Sequence, residues 1–178
     1  SWEGLQGVDS LSPPYKLPDG RWAGFYGSAD TQHVPCDAWR VGLATAPSLA
    51  GPWTRQPGEV NPVALYPDRD HTENPVVLPL GEGRGYLAVF DALAHESCGD
   101  FGLSWSHDGL SWSAADGELV RLSPPWSNGT VRTPLGLVEE EQTGRGSGVF
   151  SLWFTGWDPN PHASVSVAWL KIEWNHNS

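Results

Sequence analysis

Apolar residues along this chain fall in short runs that Gly or Pro soon interrupts, and no segment sustains the 3.6-residue apolar period of a helix. The runs predict strands. Trp22–Tyr26, Tyr86–Phe90 and Val149–Phe154 are apolar, β-prone stretches. Their aromatic ends, Tyr26, Phe90 and Phe154, recur at a spacing of 64 residues. Upstream of each lies a proline-bearing strand start: Ser12-Pro13-Pro14-Tyr15, Glu73-Asn74-Pro75-Val76 and Arg132-Thr133-Pro134-Leu135. Pro14, Pro75 and Pro134 are 61 and 59 residues apart, close to the same period. Downstream comes a third strand with a hairpin. Val41–Thr45 turns through Gly51-Pro52 to Trp53, and Phe101–Trp105 turns through Asp108-Gly109 to Trp112. The third copy, Ser164–Trp169, lacks the full hairpin.

Three copies of about 60 residues, each with an inner proline-led strand, a middle apolar strand and an outer strand, predict an all-β fold of β-propeller blades. The blades are expected at about residues 8–60, 70–123 and 130–176. Propellers close with roughly 4–8 blades, so three copies predict part of a larger ring with an open edge. The first residue is Ser1 and the chain holds no Met, which suits a sequence clipped or processed from a longer one. A sandwich of unrelated hairpins is the competing arrangement, because short strands with regular turns also describe that fold.

Charge narrows the partners. The 178 residues carry 10 Lys+Arg against 21 Asp+Glu, a net charge of -11, which excludes nucleic acid and anionic membrane surfaces as partners. With 39% hydrophobic residues and 11 Trp, the chain is too aromatic for disorder. No apolar run approaches the ~20 residues of a membrane span, and the first residues lack the basic and apolar regions of a secretory signal. The compartment stays open. Asn128-Gly129-Thr130 fits a glycosylation acceptor, which matters only in a secreted protein. Cys36 and Cys98 have no metal-ligand spacing and admit either one disulfide or two separate thiols. No motif calls for a cofactor or a metal.

Two hairpins carry a more specific signal. The stretch from Ala44-Thr45 to Gly51-Pro52-Trp53 resembles the outer hairpin of five-bladed propeller glycosidases, and Ser106-His107-Asp108-Gly109-Leu110-Ser111-Trp112 resembles their Ser-x-Asp-Gly-x-x-Trp turn. The second is also similar to the Asp-box of sialidases, one residue shorter between Asp and Trp. In both, Asp or Pro starts the turn, Gly relieves the backbone and Trp packs across the hairpin, so these motifs bear on fold and not on chemistry. On the inner strands, Glu73-Asn74-Pro75 resembles the Glu-x-Pro general-acid motif of glycoside hydrolase families 43 and 32. Arg132-Thr133-Pro134 takes the same place one blade later, where it looks like a substrate-facing arginine. It echoes only part of the family 32 Arg-Asp-Pro motif, because Thr133 replaces the acid. The resemblance runs over about residues 8–176 and implies a carbohydrate substrate.

Glycoside hydrolysis needs two carboxyl groups, one protonating the leaving oxygen and the other acting as base or nucleophile. The resemblance makes Glu73 the general acid. Asp91 ends a middle strand, where a carboxylate is costly unless paired or facing a solvated cavity, and is a candidate substrate-binding acid or modulator of Glu73. A strand-end Asp bonding loop amides is the alternative. Asp9 is a candidate second channel carboxylate, although the phased equivalent of Glu73 falls nearer Ser12, which favours loop capping. His71 and His95 lie beside these strands as candidate ligands for sugar hydroxyls or a channel cation, with a solvated loop His as the alternative. Trp126 and Trp157, in loops outside the repeat, are candidate sugar-stacking platforms, whereas Trp53 and Trp112 are expected in the core. In the resembled families the base or nucleophile is an Asp of the first blade. If the three copies correspond to the second, third and fourth blades, that Asp lies upstream of Ser1 and this chain alone is expected to be inactive or nearly so. A non-catalytic carbohydrate-binding propeller is the second reading. A sialidase-like enzyme is the third and would need an arginine triad, of which only Arg132 is well placed.

Overall fold

A computed structural model describes residues 2–3, 8, 10–29, 39–65, 72–94, 97–114, 120–122, 124, 131–157 and 163–174. Among these residues every regular element is a strand. The first sheet holds β1 (Ser10–Leu11), β2 (Tyr15–Lys16), β3 (Trp22–Ala29), β4 (Trp39–Ala46) and β5 (Thr54–Arg55). Both β1 and β2 pair with β3, so they are halves of one inner strand broken at Ser12-Pro13-Pro14. The break follows from chemistry: neither proline has an N–H for the ladder, and only Ser12 N–H donates across, to the Phe25 carbonyl at 3.0 Å. The second sheet holds β6 (Thr72–Leu80), β7 (Gly85–Ala94), β8 (Ser97–Ser106) and β9 (Ser113–Ala114). The third holds β10 (Val131–Gly144), β11 (Ser147–Trp157) and β12 (Ala163–Glu173). Neighbouring strands in each sheet are antiparallel and consecutive, as in propeller blades.

The register confirms the 64-residue frame at its aromatic positions. Tyr26 lies opposite Gly42, Phe90 opposite Gly102 and Phe154 opposite Ser166. In the first two sheets the aromatic ring covers the glycine so closely that a Cβ there would overlap it. Gly102→Ala is therefore expected to cost about 1–3 kcal/mol, read as a lower urea midpoint with an unchanged slope.

The same register corrects the phase of the first inner strand. Ser10 pairs with Gly27 and Leu11 with Tyr26, so Ser10, and not Ser12, stands where Glu73 and Arg132 stand in the later sheets. Pro13-Pro14 falls further along its strand than Pro75 or Pro134 does. Prolines that look alike in sequence thus occupy different ladder positions.

Two apolar clusters glue the sheets in series. Tyr15, Phe25, Val41 and Leu43 of the first sheet pack with Tyr86, Phe90 and Ala92 of the second. Leu87, Val89 and Phe101 of the second pack with Leu137, Phe150, Leu152 and Phe154 of the third. Strand β7 is buried on both faces, which is why it reads as an unbroken apolar run. Its alternation also sends Asp91 to the side of Leu87 and Val89, toward the third sheet.

The Asp-box-like turn serves this packing. Asp108 Oδ1 accepts the Leu110 and Ser111 N–H groups at 2.8 and 2.7 Å, and the Tyr15 hydroxyl donates to the Gly109 carbonyl at 2.7 Å. Gly109 has φ 76°, and a Cβ there would press on Leu17, Tyr15 and Tyr86. Trp112 joins the core against the Phe25 ring, as expected. Trp53 does not: it is exposed, with its ring beside Gly24 on the outer side of the first sheet.

Candidate functional site

Two matching bulges build the site. On β6, Glu73 lies opposite Asp91 and Val76 opposite Val89, so Asn74 and Pro75 crowd the space facing Phe90. On β10, Arg132 lies opposite Thr155 and Pro134 opposite Phe154, leaving Thr133 as the extra residue. Each following proline lacks a ladder N–H and restricts the residue before it. Asn74 and Thr133 take positive φ angles of 51° and 54°, tolerable for Asn and uncommon for a β-branched Thr. Strain of this kind persists only where surrounding contacts hold it.

Those contacts converge on Asp91. Thr133 N–H donates to Asp91 Oδ1 at 2.8 Å, and Asn74 Nδ2 donates to Oδ2 at 3.0 Å. Each bulge thus delivers one donor to the same carboxylate, and the carboxylate bridges two sheets. In front of it a guanidinium nitrogen of Arg132 donates to Glu73 Oε2 at 2.8 Å. The Arg132 carbonyl accepts the Thr155 hydroxyl at 2.7 Å, while the Arg132 Nε is buried and makes no hydrogen bond.

Asp91 is only 3% exposed. Burial pushes its carboxyl up from 3.8 to about 6, against the lowering effect of the Asn74 and Thr133 hydrogen bonds, with the Glu73 charge adding to the rise. The folded state therefore holds this proton more tightly than the unfolded chain does. The contribution of Asp91 to stability is full below about pH 4 and is lost as pH rises through about 6. Asp91→Asn keeps the shape and removes the charge, provided that the Asn74 amide turns to accept. Between about pH 4 and about pH 8 the stability difference should move in favour of the variant by about 1–3 kcal/mol, measured by urea unfolding at both ends.

The structure thus brings together Glu73, Asp91 and Arg132. Asp9, His71, His95 and Trp126 lie outside the described residues, as does the side chain of Trp157, whose backbone pairs with Ala163. Cys36 and the Cys98 side chain lie outside them as well. Asn74 and Thr133 were not singled out by the sequence reading, although each stands just before the proline of its inner strand. Among the described residues no three His, Cys, Asp or Glu side chains gather as metal ligands.

No protein-family model matches the sequence, and no curated protein matches it either. Solved structures match in fold. An N-acetylgalactosamine deacetylase from F. plautii, determined with blood group B trisaccharide, aligns over 92% of this chain and 50% of its own, with a TM-score of 0.59 and 10% identity. The catalytic domain of the Coprinopsis cinerea GH62 α-L-arabinofuranosidase aligns over 93% and 48%, with a TM-score of 0.51 and 16% identity. The chain therefore has the β-propeller fold of glycoside hydrolase structures and spans about half the length of the structures it matches.

Proposed function

We propose that this site acts on a carbohydrate and hydrolyses a glycosidic bond, with Glu73 as the general acid. The observation that supports this reading is the 2.8 Å contact between Glu73 and Arg132, made at matching bulges of neighbouring inner strands with Asp91 behind them. Arg132 orients Glu73 and offers its remaining N–H groups to sugar hydroxyls. A bound sugar displaces that ion pair and Glu73 takes up a proton from solvent; the proton passes to the leaving oxygen as the glycosidic bond breaks, and a second carboxylate, or a water it activates, bonds to the freed anomeric carbon. Asp91 is a positioning residue. Both its oxygens accept bonds from the bulges, which leaves it poorly placed to attack a sugar or activate water.

The second carboxylate then comes from Asp9 or from polypeptide beyond these 178 residues. In the latter case this chain alone turns over little substrate. The blades are assigned to about residues 8–60, 70–123 and 130–176.

Glycan binding without hydrolysis is the second reading, favoured by Ser10 occupying the position on the first sheet that Glu73 and Arg132 hold on the others. Incubating the protein with a panel of oligosaccharides separates the two, using a reducing-end assay beside calorimetric titration. Release of sugar supports hydrolysis. Heat of binding with no released sugar supports the second reading, and neither signal refutes both.

A further inference from the structure

The Glu73–Arg132 pair resists an incoming ligand. A carboxylate held by a guanidinium at 2.8 Å is ionised, so Glu73 has no proton to give until something else takes Arg132. The two side chains are 13 and 30% exposed, and solvent screens them less than it screens a surface pair. A neutral sugar hydroxyl is a poor rival for Arg132. It trades a charge-assisted bond for an uncharged one and leaves the guanidinium without a counter-charge.

The pair is also incomplete. Glu73 Oε2 accepts from Arg132 Nη2, whereas Nε, the other donor on the same edge of the guanidinium, is buried and finds no acceptor among the described residues. A buried N–H left in this way is unusual in a folded protein. The edge presents two parallel donors, spaced to match both oxygens of one carboxylate, and the bond to Glu73 Oε2 occupies one of them. A carboxylate lying flat against the edge satisfies both.

We propose, resting on the hydrolytic reading above, that the sugar bound here carries a carboxylate, as a hexuronic acid does, and that this carboxylate replaces Glu73 on Arg132. In a hexuronide the carboxylate and the glycosidic oxygen sit on the two ring carbons that flank the ring oxygen. One edge of the sugar therefore offers its charge to Arg132 and its scissile oxygen to Glu73, two side chains that already touch. The substrate's charge faces Glu73 from the front, and Asp91 lies behind it, held by Asn74 and Thr133. Released from Arg132 and set beside negative charge, Glu73 takes up a proton from solvent and becomes the acid. The substrate thus arms its own catalyst. The net charge of -11 narrows the class further, because it repels a polyanion more strongly than a glycan with a single acidic sugar.

Calorimetric titration with methyl glucuronide and methyl galacturonide, beside the matching methyl glucoside and galactoside, tests this without needing turnover. The wild-type protein is expected to bind an acidic sugar ~10-fold or more tighter than its neutral partner. Arg132→Lys keeps the charge and loses the two-donor edge, so the preference should fall to about threefold or less. Glu73→Gln removes the rival charge and should tighten the acidic sugar by about 5–10-fold, with little change for the neutral one. A merely structural Arg132 would weaken both sugars alike. Equal affinities for acidic and neutral sugars would overturn the proposal while leaving the hydrolytic reading in place, and failure of all four to bind would overturn it as well. An acidic preference with no sugar released from the oligosaccharide panel would uphold the Arg132 pairing and overturn hydrolysis.

Discussion

Glu73→Gln is expected to lower hydrolysis of glycosides with poor leaving groups by about 10²–10⁴-fold, in the protein carrying its second carboxylate. The substitution keeps the side-chain length and an oxygen for Arg132, which now donates to Glu73 at 2.8 Å. What it removes is the proton. An activated aryl glycoside expels its leaving group without that proton, so its turnover should fall far less. This contrast separates an acid from a nucleophile or a merely structural residue: loss of the nucleophile slows both substrates alike, and a structural defect would show in the melting curve. Rates on the two substrate types, wild type against variant, are the measurement.

Arg84→Ala is expected to destabilise the fold by about 3–5 kcal/mol, read by urea unfolding. Arg84 is 3% exposed in the turn between β6 and β7, and its guanidinium grips both Glu139 oxygens on β10 at 2.8 and 2.5 Å. The Arg84 carbonyl also accepts the Trp105 indole N–H at 2.9 Å, which holds the turn against β8. Truncating Arg84 leaves the Glu139 carboxylate partly buried without its counter-charge, and that penalty exceeds the worth of the pair itself. Replacing both residues, as Arg84→Met with Glu139→Gln, should recover most of the loss. Equal losses in the single and double variants would show that the pair contributes through packing alone.

How far the sequence reaches depends on which contacts are local. The middle strands and their spacing were legible because Tyr26 and Phe90 each need a glycine beneath the ring, at Gly42 and Gly102, and that requirement repeats with the fold. The likeness of Glu73-Asn74-Pro75 to Arg132-Thr133-Pro134 was legible for a similar reason, since a bulge ending in proline recurs on both inner strands. The first inner strand was misphased because a Pro-Pro pair marks a break in the ladder there and not a bulge. The convergence of both bulges on Asp91 was hidden. It needs residues 17 and 42 positions away, brought together only when two sheets stack. Trp153 and Trp169 looked like strand interiors, and nothing in a strand shows which of its faces a neighbour covers. The pairing of Arg84 with Glu139 was hidden likewise, because the two stand 55 positions apart on different sheets.

The site is tested most directly by a crystal structure of the protein soaked with an oligosaccharide that it binds. The account predicts a sugar ring within hydrogen-bond reach of Glu73 and Arg132, with their 2.8 Å contact opened and Asp91 still held by Asn74 and Thr133. Sugar stacked instead on Trp153 and Trp169, with the Glu73–Arg132 pair closed, would contradict it.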